Sequence, residues 1–195
     1  MQYHEAKLLS SAADASGWPD SDLPEIMFAG RSNAGKSSLI NLLTNRKKLA
    51  YTGKTPGKTR LLNFFEVDQR VVFCDSPGYG YAKGGTMSVL SFSDLIDPYI
   101  RERQQLKALV LVLDIRRVPN DDDLLMKNYA AETGLRLIPA CMKADKLSRN
   151  QMIRSLGIIA KTLGIPKEDC IAVSAMTRLG CEEIEARLNE IIEGS

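Results

Sequence analysis

The segment Gly30-Arg31-Ser32-Asn33-Ala34-Gly35-Lys36-Ser37 reads GxxxxGK[ST], and few short patterns restrict a fold more tightly. Its glycines let the backbone wrap closely, so that successive N–H groups point inward at the α- and β-phosphates of a nucleotide. A helix opened by such a loop adds the anion-favouring end of its dipole. Lys36 is then placed to reach the β- and γ-phosphates and the Ser37 hydroxyl to ligate Mg²⁺, with Ser38 next to them at the helix start. The pattern carries this meaning only between a strand and a helix. Here the short apolar run Ile26–Ala29 precedes it and the helix-like Ser38–Leu43 follows.

The rest of the chain continues in the same alternation of apolar runs and helical periodicity, which predicts an α/β fold. Leu61–Val67 and Arg70–Cys74 flank the turn-like pair Asp68-Gln69 and read as an antiparallel hairpin. Leu109–Leu113, Leu137–Cys141 and Cys170–Val173 are apolar runs of strand length, as expected of strands covered on both faces. Met152, Ile153, Leu156, Ile159, Ala160 and Leu163 share one helix face, as do Ile184, Leu188, Ile191 and Ile192, and both stripes read as core. The expected architecture is a three-layer α/β/α P-loop fold around a mostly parallel six-stranded sheet with one antiparallel strand. The length of 195 residues suits one domain, and buries about 70% of the unfolded surface. Residues 1–24, small and polar and ending in Leu23-Pro24, read as an N-terminal extension, and residues 25–195 as a single nucleotide-binding domain to which any partner must dock.

Composition excludes several classes. With 44% hydrophobic and 26% charged residues the chain is ordinary for a globular protein. No apolar run reaches the roughly 18 residues of a membrane span, and the N-terminus lacks a basic start and an apolar h-region, so the cytoplasm is the expected compartment, without membrane or DNA partners and with the chain as a monomer. Cys74, Cys141, Cys170 and Cys181 form no CxxC pair and the single histidine is His4, so the cysteines read as small core residues rather than zinc ligands. The net charge of +2 is small, but Arg46, Lys47, Lys48, Lys54, Lys58 and Arg60 crowd one stretch, either a solvated face or a phosphate or RNA footprint.

Three further motifs follow the loop in order. Asp75-Ser76-Pro77-Gly78 directly succeeds an apolar strand, which puts the carboxylate on the ligand edge of the sheet. There Asp75 can hold Mg²⁺ through water and the Gly78 N–H can sense a γ-phosphate. Met142-Lys143-Ala144-Asp145 follows a strand and approximates Asn/Thr-Lys-x-Asp. Its carboxylate accepts from guanine N1–H and N2–H₂ while the lysine stem packs along the base. Met142 departs from that pattern; a missing bracing hydrogen bond costs about 0.5–1.5 kcal/mol, up to tenfold in affinity. Val173-Ser174-Ala175-Met176 ends the series with a backbone turn suited to guanine O6. Between the loop and Asp75 lies Gly53-Lys54-Thr55-Pro56-Gly57-Lys58-Thr59-Arg60, followed by Leu61, and either Thr59 or Thr55 can complete the Mg²⁺ shell.

Phe28-Ala29-Gly30-Arg31-Ser32-Asn33-Ala34-Gly35-Lys36-Ser37-Ser38-Leu39-Ile40-Asn41, then Pro56-Gly57-Lys58-Thr59, then Asp75-Ser76-Pro77-Gly78-Tyr79-Gly80-Tyr81-Ala82-Lys83 resemble the translation-factor class of small GTPases, in its TrmE-Era-EngA-EngB-septin-like group. More narrowly the chain resembles the EngB family of bacterial ribosome-biogenesis GTPases over nearly its whole length. The resemblance implies GTP and GDP as ligands, GTP hydrolysis, Mg²⁺ use, maturation of the large ribosomal subunit through that subunit or its rRNA, and a link to cell division and septum formation. It also gives Thr59 the Mg²⁺ role over Thr55. Two positions depart from the family pattern: Met142 stands where threonine is usual, and Arg60 where glutamine is usual.

Tyr79 stands where Ras-like GTPases carry the glutamine that positions the attacking water, and a phenol is no equivalent. Intrinsic hydrolysis is therefore expected to be slow, completed by a partner or by K⁺, for which Asn33 resembles a ligand of related GTPases. Two rivals follow: a P-loop kinase or ATPase, which has no use for Lys143-Ala144-Asp145, and a guanine-nucleotide-dependent binding module with negligible turnover.

Overall fold

The computed structural model describes residues 5–46, 49–50, 61–80 and 89–194. Seven strands, β1 (Ala6–Ala12), β2 (Glu25–Gly30), β3 (Leu62–Val67), β4 (Val71–Asp75), β5 (Leu106–Asp114), β6 (Arg136–Met142) and β7 (Ile171–Val173), form one sheet in the order β1-β3-β4-β2-β5-β6-β7. Only β3 runs against the others, antiparallel to both β1 and β4. All pairings from β4 to β7 are parallel. The helices are α1 (Lys36–Leu43), α2 (Val89–Glu102), α3 (Asp121–Thr133), α4 (Arg149–Leu163) and α5 (Cys181–Glu193).

Alternation along the buried strands builds the three layers. Leu109, Leu111 and Leu113 of β5 face Ile96 and Tyr99 of α2, Met126 of α3 and Ile159 of α4 in one apolar cluster. Ala108, Val110 and Val112 face the other way, with Leu39 of α1 and Leu188 of α5. The two expected helix stripes are α4 and α5, though Ile153 stands outside the α4 stripe with 45% of its surface exposed. The four cysteines are buried, as the packing reading expects. The hairpin joins β3 to β4 through Asp68 and Gln69, both at positive φ (50° and 54°).

The sheet has one strand more than the sequence announces. The stretch read as an extension supplies β1, an edge strand paired to β3 from Ala6↔Val67 to Ala12↔Leu62, with a register shift between Leu8 and Ser10. As an edge strand it turns Leu9 onto the core while Leu8 is exposed. Trp18 and Leu23 then pack on the core, and Trp18 meets Tyr99 edge-on with ring centroids 5.6 Å apart.

Glu25, at the entrance to β2, is fully buried and charged. Its carboxylate accepts from the Tyr99 hydroxyl (2.7 Å) and from the Arg103 guanidinium (2.5 and 3.0 Å), which also donates to the Pro19 carbonyl (2.8 Å). This network ties β2, α2 and the N-terminal segment together beneath the phosphate loop. Breaking a buried ion pair leaves a stranded charge. Replacing Arg103 with methionine should therefore lower unfolding free energy by about 3 kcal/mol in urea titration, whereas a loss below about 1 kcal/mol would mean the pair is solvated.

Candidate functional site

Parallel pairing places the C-terminal ends of β2, β4, β5, β6 and β7 along one edge, and the predicted motifs at Gly30–Ser37, Asp75–Gly78, Met142–Asp145 and Val173–Met176 leave from that edge. Register sets their order along that edge: Phe28 lies opposite Asp75, Gly30 opposite Val112 two residues further on, and Asp114, Met142 and Val173 lie level with one another two residues beyond that. Gly30 must be glycine, because a Cβ there would collide with the Val112 carbonyl.

Residues 31–35 form the loop and α1 begins at Lys36. The loop is stitched to the segment after Asp75 by backbone bonds: Tyr79 N donates to the Gly30 carbonyl (3.3 Å) and Ser32 N to the Tyr79 carbonyl (3.0 Å). The Lys36 ammonium pairs with the Asp75 carboxylate, so the cation expected at the phosphates and the carboxylate expected at Mg²⁺ occupy one spot. Asp75 and Ser76 are buried, Ser37 is half-buried, and Asn33 and Ser38 are exposed. A hydroxyl and one carboxylate are hard oxygen donors of the kind Mg²⁺ takes alongside phosphate and water.

The base-reading motif is braced differently from its usual form. Met142 is buried and packs on the loop: a Cβ at Gly35 would lie 3.3 Å from both Cβ and Cγ of Met142. Dispersion contact thus stands where a side-chain hydrogen bond was expected. The polar link is made by Lys143, whose ammonium donates to the Asn33 carbonyl (2.6 Å) and to Asp114 Oδ2 (2.9 Å). Both residues of this clamp sit at positive φ without being glycine, Asn33 at 65° and Lys143 at 69°. Each such residue stores about 1 kcal/mol of backbone strain, which the clamp offsets.

Asp114, at the end of β5, was not singled out by the sequence reading. It also accepts from Arg116 Nε (2.9 Å) and NH2 (2.7 Å). Burial pushes its pKa up, but the hydrogen bonds from Arg116 and Lys143 overcome this and hold the carboxyl well below the usual range. The rule applied to Asp75, a carboxylate ending an apolar parallel strand, would have found it. Asp145 accepts from the Ser174 hydroxyl (2.8 Å) and pairs with Lys146 (3.3 Å). The Ser174 bond lowers its pKa, keeping an acceptor carboxylate at neutral pH. Ser174 Oγ accepts in turn from the N–H groups of Met176 and Thr177, each at 3.2 Å, while Ala175 and Met176 are exposed. The serine therefore orients the Asp145 carboxylate as well as shaping the turn.

A cavity of about 130 Å³ opens beside the clamp, between Arg31–Ala34, the end of β5 and Pro119. That is below the roughly 300–1,000 Å³ typical of ligand pockets.

Tyr79 is not poised toward solvent. Its hydroxyl donates to Asp123 Oδ1 (2.7 Å) and only 5% of its surface is exposed. Asp123 Oδ2 meanwhile accepts from Asn120 N (3.0 Å), closing the capping box that starts α3. Burial raises the pKa of both the phenol and the carboxyl. Replacing Tyr79 with phenylalanine should cost about 2 kcal/mol of stability, the value of a hydrogen bond to a buried charged group, measurable by urea unfolding.

Of the predicted residues, the loop, Asp75–Gly78, Met142–Asp145 and Val173–Met176 gather at one edge, with Leu61 leading into β3. Gly57, Lys58, Thr59 and Arg60, the competing Thr55, and Lys47, Lys48 and Lys54 of the basic stretch lie outside the described residues, as do His4 and Tyr81–Lys83.

Comparison with known proteins agrees with this arrangement. Residues 25–143 match a family model described as 50S ribosome-binding GTPase. The "Probable GTP-binding protein EngB" of Syntrophotalea carbinolica is 44% identical over 189 residues, covering 97% of this chain and 91% of its own. Its namesake from Desulfosudis oleivorans is 41% identical over 196 residues, covering 99% and 100%. A crystal structure of a protein with the same description superposes with a TM-score of 0.69 at 26% identity, covering 88% of this chain and all of the other.

Proposed function

The chain belongs to the EngB family of GTP-binding proteins, and from that premise we propose that it binds GTP and GDP and hydrolyses GTP slowly, as a nucleotide-dependent switch in assembly of the large ribosomal subunit. The observation that carries the reading is the Lys143 ammonium bonded at once to the Asn33 carbonyl and to Asp114. It makes the phosphate-holding and base-reading segments one rigid unit, as recognition of a whole guanine nucleotide requires.

In this reading Gly30–Ser38 wraps the phosphates, with Lys36 on the β- and γ-oxygens. Gly57, Lys58, Thr59, Arg60 and Leu61 approach the nucleotide from the loop before β3. Asp75, Ser76, Pro77 and Gly78 report the γ-phosphate. Met142, Lys143, Ala144 and Asp145 frame the guanine, with Val173, Ser174, Ala175 and Met176 closing its O6 side. Ser37, Thr59 and Asp75 would hold Mg²⁺, which when bound would supply positive charge to the β- and γ-phosphates. Water attacks the γ-phosphate, and GDP and phosphate leave. Binding of the Tyr79 hydroxyl by Asp123 favours a slow intrinsic rate, because that side chain is committed to α3 rather than to water. Asn33 has an exposed side chain and is the candidate K⁺ ligand.

The role in subunit assembly, with the attendant need in division and septation, a cytoplasmic location and a monomeric state, is part of the same proposal. No helix among the described residues is long and apolar enough to cross a membrane. If turnover proves negligible even with ribosomal particles, the chain acts instead as a guanine-nucleotide-dependent binding module. Single-turnover hydrolysis measured with and without large subunits decides between the two.

Replacing Asp145 with asparagine should shift preference from guanosine to xanthosine nucleotides by at least tenfold, since it reverses one hydrogen-bond polarity; competition with fluorescent analogues reads this out. Turnover should be faster in KCl than in NaCl at equal ionic strength, and equal rates would remove the K⁺ role from Asn33.

A further inference from the structure

Residues 146–167, covering α4 and its flanks, hold five of the chain's 26 lysines and arginines and none of its 24 acids. The cations are Lys146, Arg149, Arg154, Lys161 and Lys167. Ile159, Ala160 and Leu163 turn α4 inward to the core. On its opposite face Arg154 and Lys161, two turns apart, are exposed together with Asn150 and Ile158. Among the described residues, Arg149, Arg154, Lys161 and Lys167 have no carboxylate within ion-pair distance. Other surface cations are paired, as Lys7 is to Glu66 (2.8 Å) and Arg101 to Asp97 (2.8 Å), and those among the described residues that are not, such as Lys107, Arg117 and Arg136, are scattered over separate elements. Gly157 lies between the two central cations, and a Cβ there would meet nothing within 4 Å, so the helix backbone is approachable at that point.

We propose that the outward face of α4 docks on the phosphate backbone of large-subunit ribosomal RNA, an inference that rests on the ribosome-directed reading above. Charge complementarity selects a polyanion. From Arg154 to Lys161 the helix runs about 10 Å, a length over which one nucleic-acid strand presents about three phosphates. A cationic line without interspersed acids suits that repeat, whereas α5, with Glu182, Glu183, Glu185, Glu190 and Glu193, would repel it.

The test uses the full chain and purified large subunits, sedimented in GDP, in a non-hydrolysable GTP analogue and without nucleotide, over a KCl series. The double variant Arg154→Glu/Lys161→Glu should bind at least tenfold more weakly than wild type, and Arg154→Ala/Lys161→Ala should flatten the dependence of log affinity on log salt by about two. The control Lys107→Glu/Lys127→Glu, of equal charge change on β5 and α3, should bind as wild type does. Unchanged affinity for fluorescent GDP in every variant establishes that the fold is intact. Hydroxyl-radical footprinting should show wild type protecting rRNA backbone that the α4 variant leaves open. Wild-type affinity in the α4 variant overturns the docking face and leaves the ribosome-directed reading standing. Loss of binding without any rRNA footprint assigns the face to a ribosomal protein and overturns the RNA proposal. Failure of wild type to bind in every nucleotide state overturns the ribosome-directed reading, and the docking face with it.

Discussion

Everything at the site depends on the parallel pairing of β2 with β4 on one side and β5 on the other. Those two ladders hold Gly30 against Val112 and Phe28 against Asp75, so the carboxylate of the next motif leaves the sheet beside the phosphate loop and two residues short of Gly30. Gly30 tolerates no side chain, since Val112 already fills the space a Cβ would need. The pairing is anchored from below by Glu25, buried with Arg103 and Tyr99 where β2 begins. A strand so held cannot slip by one residue without turning Met27 and Phe28 to the wrong layers, and this makes the loop's position a property of the core rather than of the loop.

Above that frame the site is held by a small number of polar links in sparsely populated backbone geometry. Asn33 and Lys143 both take positive φ, and each is joined to the other through the Lys143 ammonium. Asp114 fixes that ammonium from the β5 side, while Ser174 fixes Asp145 from the β7 side. The Met142–Asp145 segment therefore receives support from three strands, β5, β6 and β7. Substitution of methionine for the usual hydrogen-bonding residue is accommodated because Met142 fills the space against Gly35 by contact. Charge is divided along the same lines: carboxylates at the ligand edge are paired or hydrogen-bonded, whereas the cations of α4 face outward.

Much of this was legible in the residues. Strands β2 to β7 and helices α1, α4 and α5 follow from period and from turn residues, because buried parallel strands must be continuously apolar and packed helices must carry one apolar stripe. Helices α2 and α3, strand β1 and the residue Asp114 escaped. β1 escaped because its two leucines are adjacent, Leu8 exposed and Leu9 packed on the core, so no apolar alternation stands out beside Lys7, Ser10 and Ser11. Asp114 escaped because no local motif surrounds it; its partners Arg116 and Lys143 lie two and 29 positions away. The sequence also assigned Tyr79 only by what it replaces. Its engagement with Asp123, 44 positions on, depends on where α3 begins, which the Asn120 capping box sets.

The residues alone determined the chemistry available to this chain: a phosphate loop, a carboxylate and glycine to follow it, and a lysine and carboxylate spaced to read a base. They could do so because each motif acts through its own backbone and neighbouring side chains. Only the tertiary structure decided how those motifs are coupled. Sheet order and register bring Asp114 to Lys143 and Met142 to Gly35, and turn the Tyr79 hydroxyl into the core. Such contacts join segments distant along the chain, and no local pattern encodes a distance that packing alone sets.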